Sequence, residues 1–93
     1  MNITVAIKEY STETGMSVAW ELGAKLTFET DGDYTIIRAN QAGMLTMARY
    51  FLTIAQSSVP AGAHFNVMGV LDQPENGQFF VQDSHELIIE KVD

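Results

Sequence analysis

The chain has 93 residues, of which 46% are hydrophobic and 18% charged, so its composition is that of one folded domain rather than of a disordered segment. Twelve acidic residues against five basic ones give a formal net charge of −7, which repels nucleic-acid phosphates and anionic membrane surfaces. The absence of cysteine excludes disulfides, thiolate metal ligands and cysteine nucleophiles, and it fits a reducing cytoplasm.

The N-terminal segment predicts a first strand. Ile3, Val5 and Ile7 alternate with polar or small residues, which is the period of a strand with one face on a core. The segment lacks a basic region followed by a long apolar run, so we expect no signal peptide. No other stretch is apolar and long enough to span a bilayer, and we expect a soluble, cytoplasmic protein.

A β-hairpin is expected around Asp31-Gly32. Leu26 and Phe28 alternate with polar residues before this dipeptide, and residues 34–38 after it are rich in aromatic and β-branched side chains. Asp-Gly between two such runs favours a tight turn, because both residues tolerate the positive φ that hairpin turns require.

One long helix is predicted at about residues 41–57. Asn40 is suited to cap its first turn, and the residues that follow include good helix formers and no proline. Pro60 and Gly62 then resist any continuation of the helix.

The two faces of this helix differ in width. The polar stripe consists of Thr46, Arg49, Thr53 and Gln56. The apolar arc consists of Met44, Leu45, Met47, Ala48, Tyr50, Phe51, Leu52, Ile54 and Ala55. At roughly 200° the arc is wider than the ~100° stripe of a surface helix, so the helix either lies deep against a sheet or offers a flank to a partner. We expect deep burial, because the one long helix of a small domain has to cover its sheet.

Three further strands are expected after the helix, at residues 64–71, 78–82 and 87–92. Asn76-Gly77 lies between the first two of these runs and is a second hairpin signal. We therefore predict an α+β fold of order βββ-α-βββ, in which the helix packs on a mostly antiparallel sheet of five or six strands.

The residues that could carry catalysis are few. His64, Asp72, His85 and Glu86 could form a metal site only if the two late strands that carry the histidines are neighbours. The sequence has no Gly-x-Ser-x-Gly elbow and no glycine-rich phosphate loop at a helix start. We predict no catalytic residues, no metal and no cofactor, and a small metal-dependent enzyme is the least favoured hypothesis.

Four short motifs in the second half of the chain occur in a recognisable order. They are Ala39-Asn40-Gln41-Ala42-Gly43, then Leu45, Ala48, Leu52 and Ala55 at helical spacing, then Pro60-Ala61-Gly62-Ala63-His64, and finally Ser84-His85-Glu86-Leu87-Ile88-Ile89. In this order they resemble small immunity proteins of bacterial polymorphic toxin systems. The resemblance implies an α+β protein without catalytic residues that protects a bacterial cell by binding a cognate toxin.

The favoured hypothesis is a single domain, residues 1–93, that neutralises a protein toxin by binding it. A basic toxin domain is the expected partner, because an acidic protein can occlude a basic cleft. The predicted contact residues are carboxylates at the two hairpin turns, where ordered loops present them to a partner: Asp31, Asp33, Asp72 and Glu75.

A homodimeric accessory or interaction protein is the alternative. It would associate through a flank of the apolar helix, formed by Met47, Tyr50 and Ile54, or through an unpaired sheet edge.

Overall fold

The computed structural model describes residues 1–72, 79–80 and 85–93, and the side chains of residues 1–69 and 85–93. The elements are β1 (Leu26–Asp31), β2 (Tyr34–Ala39), α1 (Gln41–Ile54), β3 (His64–Val67), β4 (Val70–Asp72), β5 (Phe79–Phe80) and β6 (Leu87–Glu90). One sheet has the strand order β2-β1-β4-β5, and a second sheet pairs β3 with β6. The pairs in both sheets are antiparallel. No helix among the described residues is long and apolar enough to cross a membrane.

The predicted βββ-α-βββ order on one sheet is wrong. Two strands precede α1, because the N-terminal segment forms no strand. The strand predicted at residues 64–71 is divided at Met68-Gly69 into β3 and β4, which belong to different sheets. The two sheets meet where the backbone N–H of His85 donates to the carbonyl of Phe28, at 2.9 Å. Alternation identifies the faces of a strand but not its neighbours, and the prediction fails at that step.

Residues 1–10 have the alternation of a strand but no strand partner. Ile3 and Ile7 are exposed. The backbone of this segment bonds to one side chain at the end of the helix: the Tyr10 N–H donates to Oε1 of Gln56 at 2.9 Å, and Nε2 of Gln56 donates to the Lys8 carbonyl at 3.1 Å. A strand needs a row of backbone partners, so two bonds to one side chain hold this segment without making it part of a sheet.

The hairpin predicted at Asp31-Gly32 is confirmed. β1 and β2 pair in register from Leu26 with Ala39 to Asp31 with Tyr34. The loop between them is Gly32-Asp33, and of its two residues only Gly32 has a positive φ, 59°. Glycine at the first loop position is the requirement of a type II′ turn, which matches the twist of the strands and fixes their register.

α1 begins at the predicted residue because Asn40 caps it. Its Oδ1 accepts from the N–H groups of Gly43 (2.8 Å) and Lys25 (2.9 Å), and its Nδ2 donates to the carbonyl of Gly23 at 2.9 Å. A Cβ at Gly43 would collide with the carbonyl oxygen of Lys25, so only glycine permits this close approach. The helix ends at Ile54, with Ala55 as its C-cap, rather than at about residue 57.

The core lies where α1 meets β1 and the second sheet. Tyr50 stands edge-on to Trp20 and Phe65, with ring centroids 6.3 and 5.0 Å away. Trp20 Nε1 donates to the hydroxyl of Tyr50 at 2.8 Å. Burial raises the pKa of the Tyr50 phenol, and the hydrogen bond from Trp20 acts in the opposite direction with a smaller effect. The buried centre consists of Leu26, Phe28, Met47, Tyr50 and Val67.

Lys91 connects the C-terminal strand to the chain that leaves α1. Its Nζ donates to the carbonyls of Gln56 and Val59, at 2.7 and 2.8 Å. Its backbone N–H donates to the carbonyl of Ala63 at 2.9 Å. This lysine therefore satisfies two carbonyls of the turn that follows the helix and holds that turn against the C-terminal strand.

Candidate partner-binding surfaces

The β1–β2 turn presents an acidic tip. Asp31 and Asp33 are exposed on either side of Gly32. Among the side chains that the structure describes, neither carboxylate forms an ion pair. Tyr34, next to them in the sequence, is 74% exposed. The tip therefore offers two carboxylates and a phenol to a partner without first breaking a contact.

Charges further along the same hairpin are balanced. Arg38 Nε lies 3.2 Å from Glu29 Oε1, and both side chains are largely exposed. An exposed pair of this kind stabilises the fold by at most about 1 kcal/mol. The pair borders an open depression of about 520 Å³ that is also lined by Lys25 and Thr27. Because this depression carries charges of both signs, the unbalanced negative charge of the hairpin is confined to its tip.

The other two predicted contact carboxylates are Asp72 and Glu75. Asp72 ends β4, but its side chain is outside the described part of the structure, as are Glu75 and the predicted turn at Asn76-Gly77. Val70 pairs with Leu26, so the antiparallel register directs β4 away from Asp31. The backbone of Asp72 therefore lies roughly 20 Å from the acidic tip along the sheet. The structure brings Asp31 and Asp33 together but does not bring Asp72 to them.

The two histidines lie at opposite ends of the second sheet. β3 pairs with β6 so that His64 is opposite Glu90, whereas His85 precedes the pair formed by Val67 and Leu87. That spacing separates the histidines by roughly 15 Å. Among the described residues, no three His, Cys, Asp or Glu side chains are grouped so that they could hold a metal ion. The hypothesis of a metal-dependent enzyme therefore gains no support from this part of the chain.

The polar stripe of α1 faces inward, which is the opposite of the expected arrangement. Thr46 is 0% exposed and Thr53 is 1% exposed. Thr46 Oγ1 accepts from the backbone N–H of Glu21 at 3.0 Å. Arg49 donates to the carbonyl of Ala19 at 3.2 Å and pairs with the Glu21 carboxylate at 2.9 Å. With Gln56, the stripe supplies hydrogen-bond partners to irregular backbone between residues 8 and 21, which lacks a sheet to bond with.

Sequence reasoning missed this orientation, although the stripe carries a signal of burial. It contains two threonines and a single charged residue, Arg49. A solvent-facing stripe in a chain of net charge −7 would ordinarily carry several glutamates or lysines. Short polar side chains instead suit a stripe that packs closely against backbone.

The opposite face of α1 is apolar and open to solvent. Met44 is 51% exposed, Phe51 50% and Leu52 46%. Ala55 beside them is exposed as well, and Leu45 and Ala48 are half-buried. We call these six residues the outer helix face.

The flank predicted for self-association is not available. Met47, Tyr50 and Ile54 are all buried in the monomer. Deep burial of the whole apolar arc is therefore wrong: only the side of the arc that holds these three residues enters the core, and the outer helix face does not.

A cavity of about 180 Å³ separates the middle of the inward stripe from the N-terminal segment. Arg49 and Thr53 line it from the helix, and Ala6, Lys8 and Ala19 line it from the part of the chain that precedes β1. Arg49 Nε and Thr53 Oγ1 are buried and have no hydrogen-bond partner among the described residues. In the middle of the stripe Arg49 is thus bonded through its two terminal nitrogens only, and Thr53 forms no side-chain hydrogen bond to the described residues.

Comparison with known proteins identifies a family. The model of the immunity protein 32 family matches residues 35–92, which is more than half of the chain. The matched part runs from β2 past the end of β6 and includes the whole of α1, and the N-terminal segment lies outside it. No curated protein and no solved structure matches the chain. The match confirms the resemblance to immunity proteins of toxin systems, and the chain belongs to the immunity protein 32 family.

Proposed function

We propose that this protein neutralises a cognate bacterial toxin by stoichiometric binding, without catalysis. The family match over residues 35–92 carries the proposal, because membership of an immunity protein family gives the chain a protective role in a toxin system. An inhibitor of this kind acts inside the cell that it protects. The absence of cysteine is in keeping with a reducing cytoplasm as that location.

The partner that suits this chain is a toxin domain with a basic surface. A net charge of −7 attracts such a surface at long range and raises the rate of productive encounters. At physiological salt this attraction is screened over about 8 Å, so unpaired carboxylates close to the contact matter more than the total charge.

The acidic tip is the surface through which the toxin would be bound. Asp31 and Asp33 lie on a tight hairpin loop whose register is fixed by six cross-strand pairs. Carboxylates held in this way can accept bidentate hydrogen bonds from arginine with little loss of conformational entropy. The exposed ring of Tyr34 adds apolar contact area beside them.

Asp72, at the other end of the sheet, remains a proposed contact, and so does Glu75, which lies outside the described residues. An interface of ordinary size buries about 800 Å² on each partner, which is wide enough to reach from the acidic tip to Asp72. A toxin that uses both ends would therefore have to lie along the sheet rather than cap its tip.

Co-expression with the toxin encoded beside this chain tests the proposal. The chain should restore growth, and the purified pair should co-elute at low salt. The double variant Asp31→Lys, Asp33→Lys should slow association at least tenfold, because it places two positive charges against a basic surface.

The double variant Glu9→Lys, Glu13→Lys is the matched control. It makes the same change in net charge at two exposed positions of the N-terminal segment. If both variants slow association equally, total charge and not the tip directs binding. If the chain neither restores growth nor co-elutes with the toxin, the proposed function is wrong.

Self-association is a second candidate property, favoured by the exposed apolar residues of the outer helix face. It does not compete with toxin binding, because the acidic tip is separate from this face.

A further inference from the structure

The outer helix face has the residue spacing of a helix-packing seam. Met44, Ala48, Phe51 and Ala55 follow one another at intervals of four, three and four residues. This is the a/d spacing with which two helices pack side chains of one into holes of the other. Leu45 and Leu52 widen the same seam on one side. The face is therefore shaped to receive a second helix rather than a flat surface.

Large and small side chains alternate along this seam. Met44 and Phe51 are large, whereas Ala48 and Ala55 are small. If an identical helix lies antiparallel across the seam, Ala48 faces Phe51 of the partner subunit, and Met44 faces Ala55 of the partner subunit. Both pairings share one midpoint, between positions 49 and 50, so a single two-fold axis produces both. Each layer then pairs a large with a small side chain, which is the arrangement that fills a helix interface without voids.

The helix itself places no charge on this face that would have to be buried against a second copy. α1 contains no acidic residue, and its one basic residue, Arg49, is turned inward to Glu21. Two copies, each of net charge −7, can therefore meet through this face without burying a charge. A basic toxin surface would gain no electrostatic attraction at this face and is better matched by the acidic tip.

We propose that the outer helix face is a self-association surface, through which two copies of this chain pack their α1 helices antiparallel about a two-fold axis between positions 49 and 50. The proposal does not rest on toxin binding. Because Met44, Phe51 and Leu52 are each about half exposed, they offer on the order of 300 Å² of apolar surface. A stable interface buries about 800 Å² on each partner, so the dimer is weak and depends on concentration.

Sedimentation of the full chain over a wide concentration range tests the proposal. We expect a reversible dimer, and Leu52→Glu should raise its dissociation constant at least tenfold, because a carboxylate would be buried in the seam. Leu22→Glu is the matched control, since Leu22 is 82% exposed and the substitution is chemically the same. It should leave the dissociation constant within about twofold of the original value.

Salt separates this dimer from the toxin complex. Raising the salt concentration screens the repulsion between two acidic copies and should strengthen the dimer, whereas it should weaken the complex with a basic toxin. A dimer that weakens with salt would contradict the proposed contact.

Engineered cysteines test the orientation, since the chain has no cysteine of its own. A mixture of Met44→Cys and Ala55→Cys should oxidise mainly to the mixed disulfide, because the antiparallel register places these positions opposite each other. Self-crosslinking of Met44→Cys in preference would show a parallel pair and overturn the proposed register.

Two results would overturn the proposal as a whole. One is a monomer at all concentrations. The other is a dimer that Leu52→Glu and Leu22→Glu affect equally. If Leu52→Glu instead weakened only the binding of the toxin, the face would belong to the toxin interface and not to a second copy. The growth-rescue experiment with the tip variants decides the proposed function separately in each case.

Discussion

The two faces of α1 reverse the usual arrangement of an amphipathic helix. The inward stripe, Thr46, Arg49, Thr53 and Gln56, is polar, and all of its residues except Thr53 bond to backbone between residues 8 and 21. The outer helix face is apolar and exposed. The difference shows that a helical wheel gives the composition of each face, while the segments that pack against the helix decide which face is buried. Four comparisons of substitutions test the two faces and the buried residues beside them, and they follow from the largest expected effect to the smallest.

Replacing glycine on the inward side should have the largest effect. Gly43→Ala should lower the free energy of unfolding by about 2 kcal/mol, because the new Cβ collides with the carbonyl of Lys25. Alanine would otherwise stabilise a helix by about 1 kcal/mol relative to glycine. Urea unfolding at low protein concentration measures the change. Ala48→Gly on the outer face is the control, and it should lower the free energy of unfolding only by that difference in helix propensity. If Gly43→Ala were as stable as the natural chain, the close approach of Gly43 to the Lys25 carbonyl would be contradicted.

Changing the polarity of one residue on each face of α1 should have unequal effects on the free energy of unfolding. Thr46→Val removes the acceptor for the Glu21 N–H, so it should destabilise the fold by about 1.5 kcal/mol. Leu52→Gln makes the outer face more polar and should change the free energy of unfolding by less than about 0.5 kcal/mol. Thermal or urea unfolding of the two variants checks this order. A larger loss for Leu52→Gln would mean that the outer face is buried and the inward stripe is not.

Tyr50 should make stability depend on alkaline pH. Because burial raises its pKa, the folded state keeps the phenol proton at a pH where the unfolded state has lost it. The contribution of Tyr50 to stability is therefore constant up to pH of about 10, the pKa of an unfolded tyrosine, and falls as the pH rises from there to the higher folded pKa. Tyr50→Phe should remove this slope, and should cost about 1 kcal/mol at neutral pH, because Trp20 Nε1 loses its acceptor.

Urea unfolding at a series of pH values measures both effects of Tyr50→Phe. Tyr34→Phe is the control, since Tyr34 is exposed and Tyr50 remains in place. If the alkaline slope survived in Tyr50→Phe, its origin would have to be another group.

Thr53, in the middle of the inward stripe, should tolerate substitution best. Thr53 is as buried as Thr46, but its hydroxyl has no partner among the described residues. Thr53→Val keeps the shape of the side chain and should change the free energy of unfolding by less than about 0.5 kcal/mol. The same substitution at Thr46 is the matched comparison. A loss of equal size at both positions would show that the Thr53 hydroxyl is bonded in solution.

The features predicted correctly from the sequence are determined locally. Gly32 supplies the positive φ that the first hairpin needs, so the turn follows from a few residues. Asn40 and Gly43 likewise define the helix start within one turn of chain. The strand predicted at residues 87–92 is present as β6, Leu87–Glu90, in which Leu87 and Ile89 are half-buried and Ile88 is exposed.

The features predicted wrongly depend on distant partners. Ile3 and Ile7 have the pattern of a strand, but none of the described strands pairs with them to complete a ladder. The order of the strands and their division into two sheets are also set by contacts between segments that are far apart in the sequence.

Of the two candidate surfaces, the acidic tip was predictable from the sequence and the outer helix face was not. The position of Asp31 and Asp33 on an exposed turn follows from local turn chemistry, although their contact with a toxin remains a prediction. The outer helix face could not be predicted from the helix alone, because residues between 8 and 21 contact the opposite side of the helix. A stripe with two threonines and no glutamate or lysine was the available signal.

The attachment of Gln56 has a consequence for local unfolding. The bonds from its amide to Lys8 and Tyr10 join residues 1–10 to the family-matched part of the chain. Opening them costs far less free energy than unfolding the core, so the amides of this segment should exchange hydrogen with solvent first. A protease should also cleave here while the hairpin and helix remain intact. The hairpin and helix, which include β1 as well as family-matched residues, would then form a resistant body, and residues 1–10 would open independently of it.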